Sequence, residues 1–420
     1  MKSILKEIII SNQERIHDLS LIERNISLDA NANHVLIGLR RAGKSYALYQ
    51  YIKKHFKEDK KGFLFINFED DRLLEFEAKH FQLIIEAYKE LYENEPAVFL
   101  DEVQNIQHWE KFARRLADTG YQVFITGSNA QMLSKEMAST LGGRFLIKEV
   151  SPLSFYEYLI FNGIKLSKAS FYSEEKIKIK SLFNDFFQQG GFPELYKHQD
   201  KRAYLSNLYK RLLYGDIMVR HNISNEKVLQ LLLKKLAESL HKSTSVNRIK
   251  NLIKSIGYPI GTGTLINYLQ YLDDAFLVHS VENFANKMVD RERNKKYYFV
   301  DNGILMLFLF DQDTKLLENL AYLHLRRHFE SIYFYKKNVE IDFYLPDQKT
   351  IIQSSYSLTD IETEKREINA IKKSLETLEV NHIYIITYDE ERTIQLDERT
   401  VSVMPIWKWI LQFNHKNQLM

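Results

Sequence analysis

The 420-residue sequence contains no cysteine. Disulfides, thiolate nucleophiles and cysteine-ligated zinc are therefore excluded. The lack also suits a reducing compartment, so a cytoplasmic location is expected. Only 6 prolines and 15 glycines occur, which leaves little room for linkers or low-complexity segments. No apolar, uncharged run approaches about 18 residues, so neither a membrane span nor a membrane partner is expected. Met1–Glu7 lacks a long apolar segment and does not read as a secretory signal. Charge of one sign is also missing. Lys and Arg number 58 against 55 Asp and Glu, a net of +3, so composition does not demand a nucleic-acid partner, although local patches can still serve one. What remains is an apolar content of 45 %, enough for sizeable cores, on a chain long enough for two or three domains. The 25 Tyr and 26 Phe read first as packing residues.

One motif stands out. Gly38-Leu39-Arg40-Arg41-Ala42-Gly43-Lys44-Ser45 fits G-x-x-x-x-G-K-[ST], the phosphate-binding loop. It follows a short apolar stretch, His34–Ile37, and precedes a helical one from Tyr46 to Ile52. Strand, glycine loop and helix in that order form an anion trap, because loop N–H groups and the positive helix end face the same phosphates. Lys44 can reach the β and γ phosphates, and Ser45 offers a hydroxyl to Mg²⁺. The expected nucleotide contacts are Gly38, Leu39, Arg40, Arg41, Ala42, Gly43, Lys44, Ser45 and Tyr46. Arg40 and Arg41 either touch phosphates or face solvent.

Pro96–Leu100 is an apolar run ending in Asp101 and Glu102, the pattern of a buried parallel strand. Asp101 at its end can assist Mg²⁺, and Glu102 can orient and polarise an attacking water. Gln122–Thr126 is another short strand, ending in Gly127-Ser128-Asn129. Ser128 or Asn129 there can position that water, or the triplet is an ordinary turn. Arg144, after Gly142-Gly143, is a candidate arginine finger in its own or a neighbouring subunit; the alternative is a surface arginine.

The chain divides into three expected parts. Residues 1–150 alternate strands (His34–Ile37, Gly62–Phe68, Ala97–Leu100, Gln122–Thr126, Phe145–Val150) with helices. This is an α/β pattern, a parallel sheet with helices on both faces. Residues 151–310 read as mostly helical, with a helix entry at Ser151–Tyr158 and a sharp break at Gly190-Gly191-Phe192-Pro193. Within them, helices at Ser245–Lys254 and Thr264–Leu272 and a strand at Phe276–Val281 fit a winged helix. Arg248, Lys250 and Lys254 suit phosphate contacts, whereas the second helix carries no Lys or Arg, so DNA contact and a packing role both stay open. Residues 311–420 read as a small α/β unit: a helix at Leu316–Leu325, paired strands at Val339–Leu345 and Thr350–Tyr356, a helix at 362–378 and a strand at His382–Ile386. Glu318 and Asp342 can converge on a metal there. The further carboxylate and the lysine that a nuclease would add on the next strand are Gln353 and Ser355 instead.

The order of Gly38–Ser45, Leu100-Asp101-Glu102, Thr126–Asn129, Gly143-Arg144, Gly190–Pro193 and Glu340-Ile341-Asp342 resembles the bacterial and archaeal AAA-type ATPases with a C-terminal DUF4143 region. The resemblance implies a P-loop NTPase sheet, a winged-helix segment and a restriction-endonuclease-like C-terminal fold. It implies ATP and Mg²⁺ as cofactors, with Lys44, Ser45, Asp101, Glu102 and Arg144 in the roles given above. Preference for ATP over GTP rests on the resemblance, and no N-K-x-D guanine-reading motif opposes it. The departures at Gln353 and Ser355 speak against nuclease activity.

The reading is a Mg²⁺-dependent ATPase whose hydrolysis acts on nucleic acid, through DNA contacts of the C-terminal parts. The rival is a nucleotide-gated module that binds DNA or a protein partner and turns over little alone. An ATP-dependent nuclease and a small-molecule kinase stand behind these two. An oligomer is compatible with all of them.

Overall fold

The computed structural model describes residues 1–128, 141–285, 294–310 and 313–418, with side chains to 412. The chain forms two compact units: Met1–Pro152 with Asp274–Phe276, and Leu153–Asp273 with Leu277–Met420. Among the described residues no helix is long and apolar enough to cross a membrane.

The first unit is built on five strands: β1 (Asn33–Ile37), β2 (Phe63–Asn67), β3 (Ala97–Asp101), β4 (Val123–Gly127) and β5 (Phe145–Glu149). Their order is β2-β3-β4-β1-β5, and every pairing is parallel. All five expected strands are present, each shifted by no more than a residue or two. Successive strand residues point to opposite faces. Because β3 and β4 are buried at every position, both faces of the sheet are covered, as expected. Helices α1 (Lys2–Asp18), α2 (Lys44–His55), α3 (Phe81–Lys89) and α4 (Trp109–Asp118) belong to this unit. Much of the aromatic content sits here. Phe99 and Phe124 stack with centroids 4.6 Å apart, and Tyr51 of α2 lies 4.4 Å from Phe124.

Helix α1 has a job that its sequence pattern did not reveal. Asn12 and Gln13 on its buried side donate to the carbonyls of Phe65 (3.0 Å) and Phe63 (2.6 Å). These carbonyls belong to β2, the edge strand, whose other neighbour is β3. An unpaired strand edge must be satisfied or covered, and two side-chain amides do both.

The second unit opens with α5 (Phe155–Phe161), entered through a capping box between Ser154 and Glu157. Helices α6 (Glu175–Gln189), α7 (Lys201–Arg211) and α8 (Glu226–Glu238) follow. Next come β6 (Thr244–Ser245), α9 (Val246–Ser255), α10 (Thr262–Asp274), β7 (Val278–Asn283), β8 (Asn294–Phe299) and α11 (Asn302–Leu305). The chain ends with α12 (Asp313–Arg326), β9 (Tyr333–Lys336), β10 (Glu340–Leu345), β11 (Thr350–Ser354), α13 (Ile361–Ser374), β12 (His382–Thr387), β13 (Arg392–Leu396), β14 (Arg399–Pro405) and α14 (Ile406–Gln418). The strands make one nine-stranded mixed sheet, β13-β14-β12-β11-β10-β9-β7-β8-β6. It therefore runs through both of the segments that the sequence separates at about residue 310.

The expected break at Gly190 is real and has a packing cause. A Cβ on Gly190 would lie 2.0 Å from Asp301 Oδ1. Asp301 is buried and caps α11, accepting from Gly303 N (2.8 Å) and Ile304 N (3.3 Å), and it also accepts from Gly191 N (2.6 Å). Burial pushes its pKa up to about 6, against the pull of those three N–H groups. The Gly-Gly-Phe-Pro motif is therefore the seat of a buried carboxylate. Asp301→Ala leaves three N–H groups without an acceptor. At neutral pH it is expected to lower stability by about 2–4 kcal/mol, read as an earlier urea midpoint for the second unit.

Candidate active site

The three motifs of the first unit meet at the carboxyl ends of its strands. β1 ends at Ile37, whose carbonyl accepts from Val150 N at 2.7 Å. This close crossing leaves no side-chain room at the next residue: a Cβ on Gly38 would lie 2.2 Å from Val150 O, and its φ is +140°. The loop then turns through Arg41 and Gly43, both left-handed (φ 61° and 101°), into α2 at Lys44. The first N–H groups of a helix lack intrahelical acceptors, so the end of α2 presents donors to an anion in the loop. From outside the motif, Arg24 clamps this turn. Buried at 6 % exposure, it donates to Ala42 O (2.8 Å) and Ser151 O (2.9 Å).

Seven polar side chains converge inside. Ser45 Oγ donates to Asp101 Oδ2 at 2.8 Å, and Thr126 Oγ1 donates to Asp101 Oδ1 at 2.5 Å. Thr126 also accepts from the backbone N–H of Glu102 (3.0 Å), fixing a residue whose φ is +53°. Lys44 Nζ is 3.3 Å from Glu102 Oε1 and donates to the loop carbonyls of Gly38 (3.1 Å) and Leu39 (3.3 Å). Gln104 Nε2 grips the other Glu102 oxygen at 2.6 Å and reaches Ser128 Oγ at 3.2 Å.

Burial and neighbours set the two carboxylates apart. Asp101 is fully buried, and burial together with the adjacent Glu102 charge pushes its pKa up to about 6. Burial alone would raise Glu102 as well, but Lys44, Gln104 and Arg40 outweigh it and hold its carboxyl below the usual range. Both are ionised at neutral pH, and Glu102 keeps its charge to lower pH than Asp101 does; an acceptor of a proton from water must be ionised. The Ser45 hydroxyl and the Asp101 carboxylate form an adjacent pair of hard oxygens. This donor set fits Mg²⁺, which is bound through one or two protein oxygens and completed by phosphate and water.

The other expected contacts fall in different places. Leu39 and Ala42 are buried and shape the loop. Arg40 pairs with Glu69 at 2.7 Å, while the Tyr46 ring, half exposed, packs 5.4 Å from Tyr49. Ser128 is buried against Gln104, and Asn129 lies outside the described residues. Arg144 does not join the cluster within its own chain. Its carbonyl accepts from Asn33, at the opposite end of β1 from the loop, and its guanidinium pairs with Asp118.

Sequence reasoning missed Thr126, Gln104 and Arg24. A signal existed for the first. Aligning the two parallel strands at Leu100↔Ile125 sets Thr126 beside Asp101. Arg24 has no local signature.

In the second unit Glu318 and Asp342 do approach one another, as expected, but with the ammonium of Lys296 between them. Gln353 bonds Asp342 N and Glu367, and Ser355 Oγ turns to Ser357 O.

Residues 31–159 match the model of an AAA domain. Residues 180–315 match a domain of unknown function, DUF8612; that is the match beyond the AAA domain, in place of the expected DUF4143. The chain is 34 % identical over 429 residues to the uncharacterized protein MJ1544 of Methanocaldococcus jannaschii, covering 98 % of this chain and 96 % of that one. It is 25 % identical over 401 residues to an uncharacterized protein of Haemophilus influenzae, covering 91 % and 95 %. Among solved structures, the Walker-type ATPase paby2304 of Pyrococcus abyssi aligns at a TM-score of 0.42, with 15 % identity over 70 % of this chain and 99 % of that one.

The Arg24 clamp makes a direct prediction. Arg24→Met removes a guanidinium donor from two carbonyls, at about 1–3 kcal/mol for each one left buried and unpaired. Titration calorimetry is expected to show ATP affinity falling roughly tenfold or more. Unchanged affinity would mean that the loop holds its shape without the clamp.

Proposed function

We propose, from the premise that this chain belongs to the family of the archaeal protein MJ1544 and carries an AAA-type P-loop domain, that it binds ATP with Mg²⁺ and hydrolyses it to ADP and phosphate. The observation that carries this reading is the convergence of Lys44, Ser45, Asp101 and Glu102 at one end of the sheet. Ser45 and Asp101 would hold the Mg²⁺, which when bound neutralises charge across the β and γ phosphates. Lys44 exchanges its bonds to Glu102 and the loop carbonyls for bonds to phosphate oxygens. Loop N–H groups and the start of α2 orient the phosphates. Glu102, released from Lys44 but still held by Gln104, accepts a proton from the water whose oxygen attacks the γ phosphorus. Ser128 or Asn129 positions that water.

The Lys44–Glu102 contact also favours the rival reading, in which turnover is low until a partner engages. The lysine and the base pair with each other at 3.3 Å. We propose DNA as that partner, with a protein as the alternative. The segment from β6 to β8 supports this. Its order of helix, turn, helix and antiparallel strand pair is compatible with a winged helix, and Arg248 and Lys254 are exposed on α9. Lys250 is instead drawn to Thr262 at 2.9 Å. A groove lined by Asn247, Gln270, Asn294 and Tyr297, and also by Asp273, opens in the same segment; its Lys295 pairs with Glu282 at 3.8 Å, so the groove offers amides more than free charge to a backbone. In this reading residues 1–150 hold nucleotide and 151–310 contact the partner. Residues 311–420, which share their sheet with the preceding segment, serve in this reading as an endonuclease-like α/β part that binds without cutting. Arg144, remote from its own loop, acts as a finger in trans if the chain forms an oligomer.

The test is phosphate release from ATP with Mg²⁺, with and without DNA. Lys44→Ala and Glu102→Gln are each expected to lose roughly 100-fold or more of the turnover, and DNA is expected to raise it in the wild type. Full activity in Glu102→Gln would remove its role as base. Wild-type binding without turnover, with or without DNA, would favour the gated module.

A further inference from the structure

The second unit buries a charged cluster that the nucleotide site does not use. Lys296 of β8 is 0 % exposed. Its Nζ lies 2.9 Å from Asp342 Oδ1, 3.1 Å from Glu318 Oε1 and 3.1 Å from Glu340 Oε1. The ammonium donates hydrogen bonds to Asp342 and Glu318, and the Glu340 carboxylate lies within ion-pair distance. The Phe334 ring, 5.8 Å from Nζ, adds an apolar neighbour. The carboxylates have other fixed partners: the Tyr298 hydroxyl on Glu318 (2.8 Å), Ser354 N on Asp342 (2.9 Å) and Lys336 on Glu340 (2.6 Å).

Glu318 and Asp342 are the pair that a nuclease-type site of this layout would offer to a divalent metal. The residues present do not fit one. The cation position is filled, and the place of the further carboxylate is taken by Gln353. That amide is spent, accepting from Asp342 N at 3.0 Å and donating to Glu367 at 2.7 Å. Among the described residues no group of three or more His, Asp or Glu is placed to hold a metal. Nor does Lys296 serve as a base. Burial opposes its charge, but Asp342, Glu318 and Glu340 outweigh burial and raise its pKa, so it stays protonated.

We propose that Lys296 is the resident cation of this cluster: its ammonium stands where a metal ion would, the second unit performs no metal-dependent cleavage, and the cluster instead ties β8, α12 and β10 together. This conclusion is independent of the nucleotide site.

The experiment is thermal unfolding of the full-length, nucleotide-free protein, with and without Mn²⁺. Lys296→Met leaves buried carboxylates without a counter-charge and is expected to lower the Tm of the second unit by on the order of 10 °C. Adding Glu318→Gln and Asp342→Asn to Lys296→Met removes the repulsion and is expected to restore at least half of that loss. This triple variant also decides the matter if the single variant does not fold. Any Mn²⁺ shift seen in the wild type is expected to persist in Asp342→Asn. Three results would overturn the proposal: wild-type stability in Lys296→Met, a triple variant no more stable than the single, or a Mn²⁺ shift or Mn²⁺-dependent plasmid cleavage that Asp342→Asn abolishes.

Discussion

The first unit rests on keeping three charged groups, Lys44, Asp101 and Glu102, nearly out of water at the end of one sheet. A buried charge without a partner is expensive. The fold meets the demand with short contacts that each come from a different element. β1 and the loop bring Lys44, and the register of β3 against β4 sets Thr126 beside Asp101. The 3.3 Å contact between Lys44 and Glu102 closes the set. The left-handed backbone at Glu102 and the tight crossing at Gly38 follow from the same convergence. Backbone strain at such positions costs on the order of 1–3 kcal/mol, and the surrounding bonds hold it in place.

The two units treat a buried lysine in opposite ways. Lys44 leans on two loop carbonyls and one carboxylate, at 3.1–3.3 Å. These are partners that phosphate oxygens can replace, since an anion matches the ammonium better than a neutral carbonyl does. Lys296 is surrounded by three carboxylates at 2.9–3.1 Å, which no incoming anion can improve upon. One site is poised for exchange and the other is closed. The difference lies in what surrounds the ammonium, since the residue type is the same.

Much of this was legible in the sequence, for physical reasons that can be named. The phosphate loop has a rigid spacing because its backbone must reverse around an anion, so Gly38, Gly43, Lys44 and Ser45 announce themselves. Continuous apolar runs marked β1 to β4 because both faces of a parallel sheet are buried. Contacts between residues distant in sequence were not legible. Arg24 grips Ala42 and Ser151, Asn12 and Gln13 satisfy the edge of β2, and Lys296 reaches Glu318, Glu340 and Asp342. None leaves a local pattern. Reading only the next strand for a lysine therefore found Ser355, while the charge came from β8. The Gly190–Pro193 break was legible, but its cause was not. It stands out in sequence yet serves to seat Asp301.

On the proposed mechanism, Lys44 is held by Glu102 until phosphate takes it. The most direct measurement is the affinity of ATP with Mg²⁺ for the wild type and for Glu102→Gln, by titration calorimetry. If the contact competes with phosphate, neutralising Glu102 frees the lysine, and the variant binds several-fold more tightly, about 1 kcal/mol. Equal or weaker binding by the variant would contradict this, because Glu102 would then not be restraining Lys44.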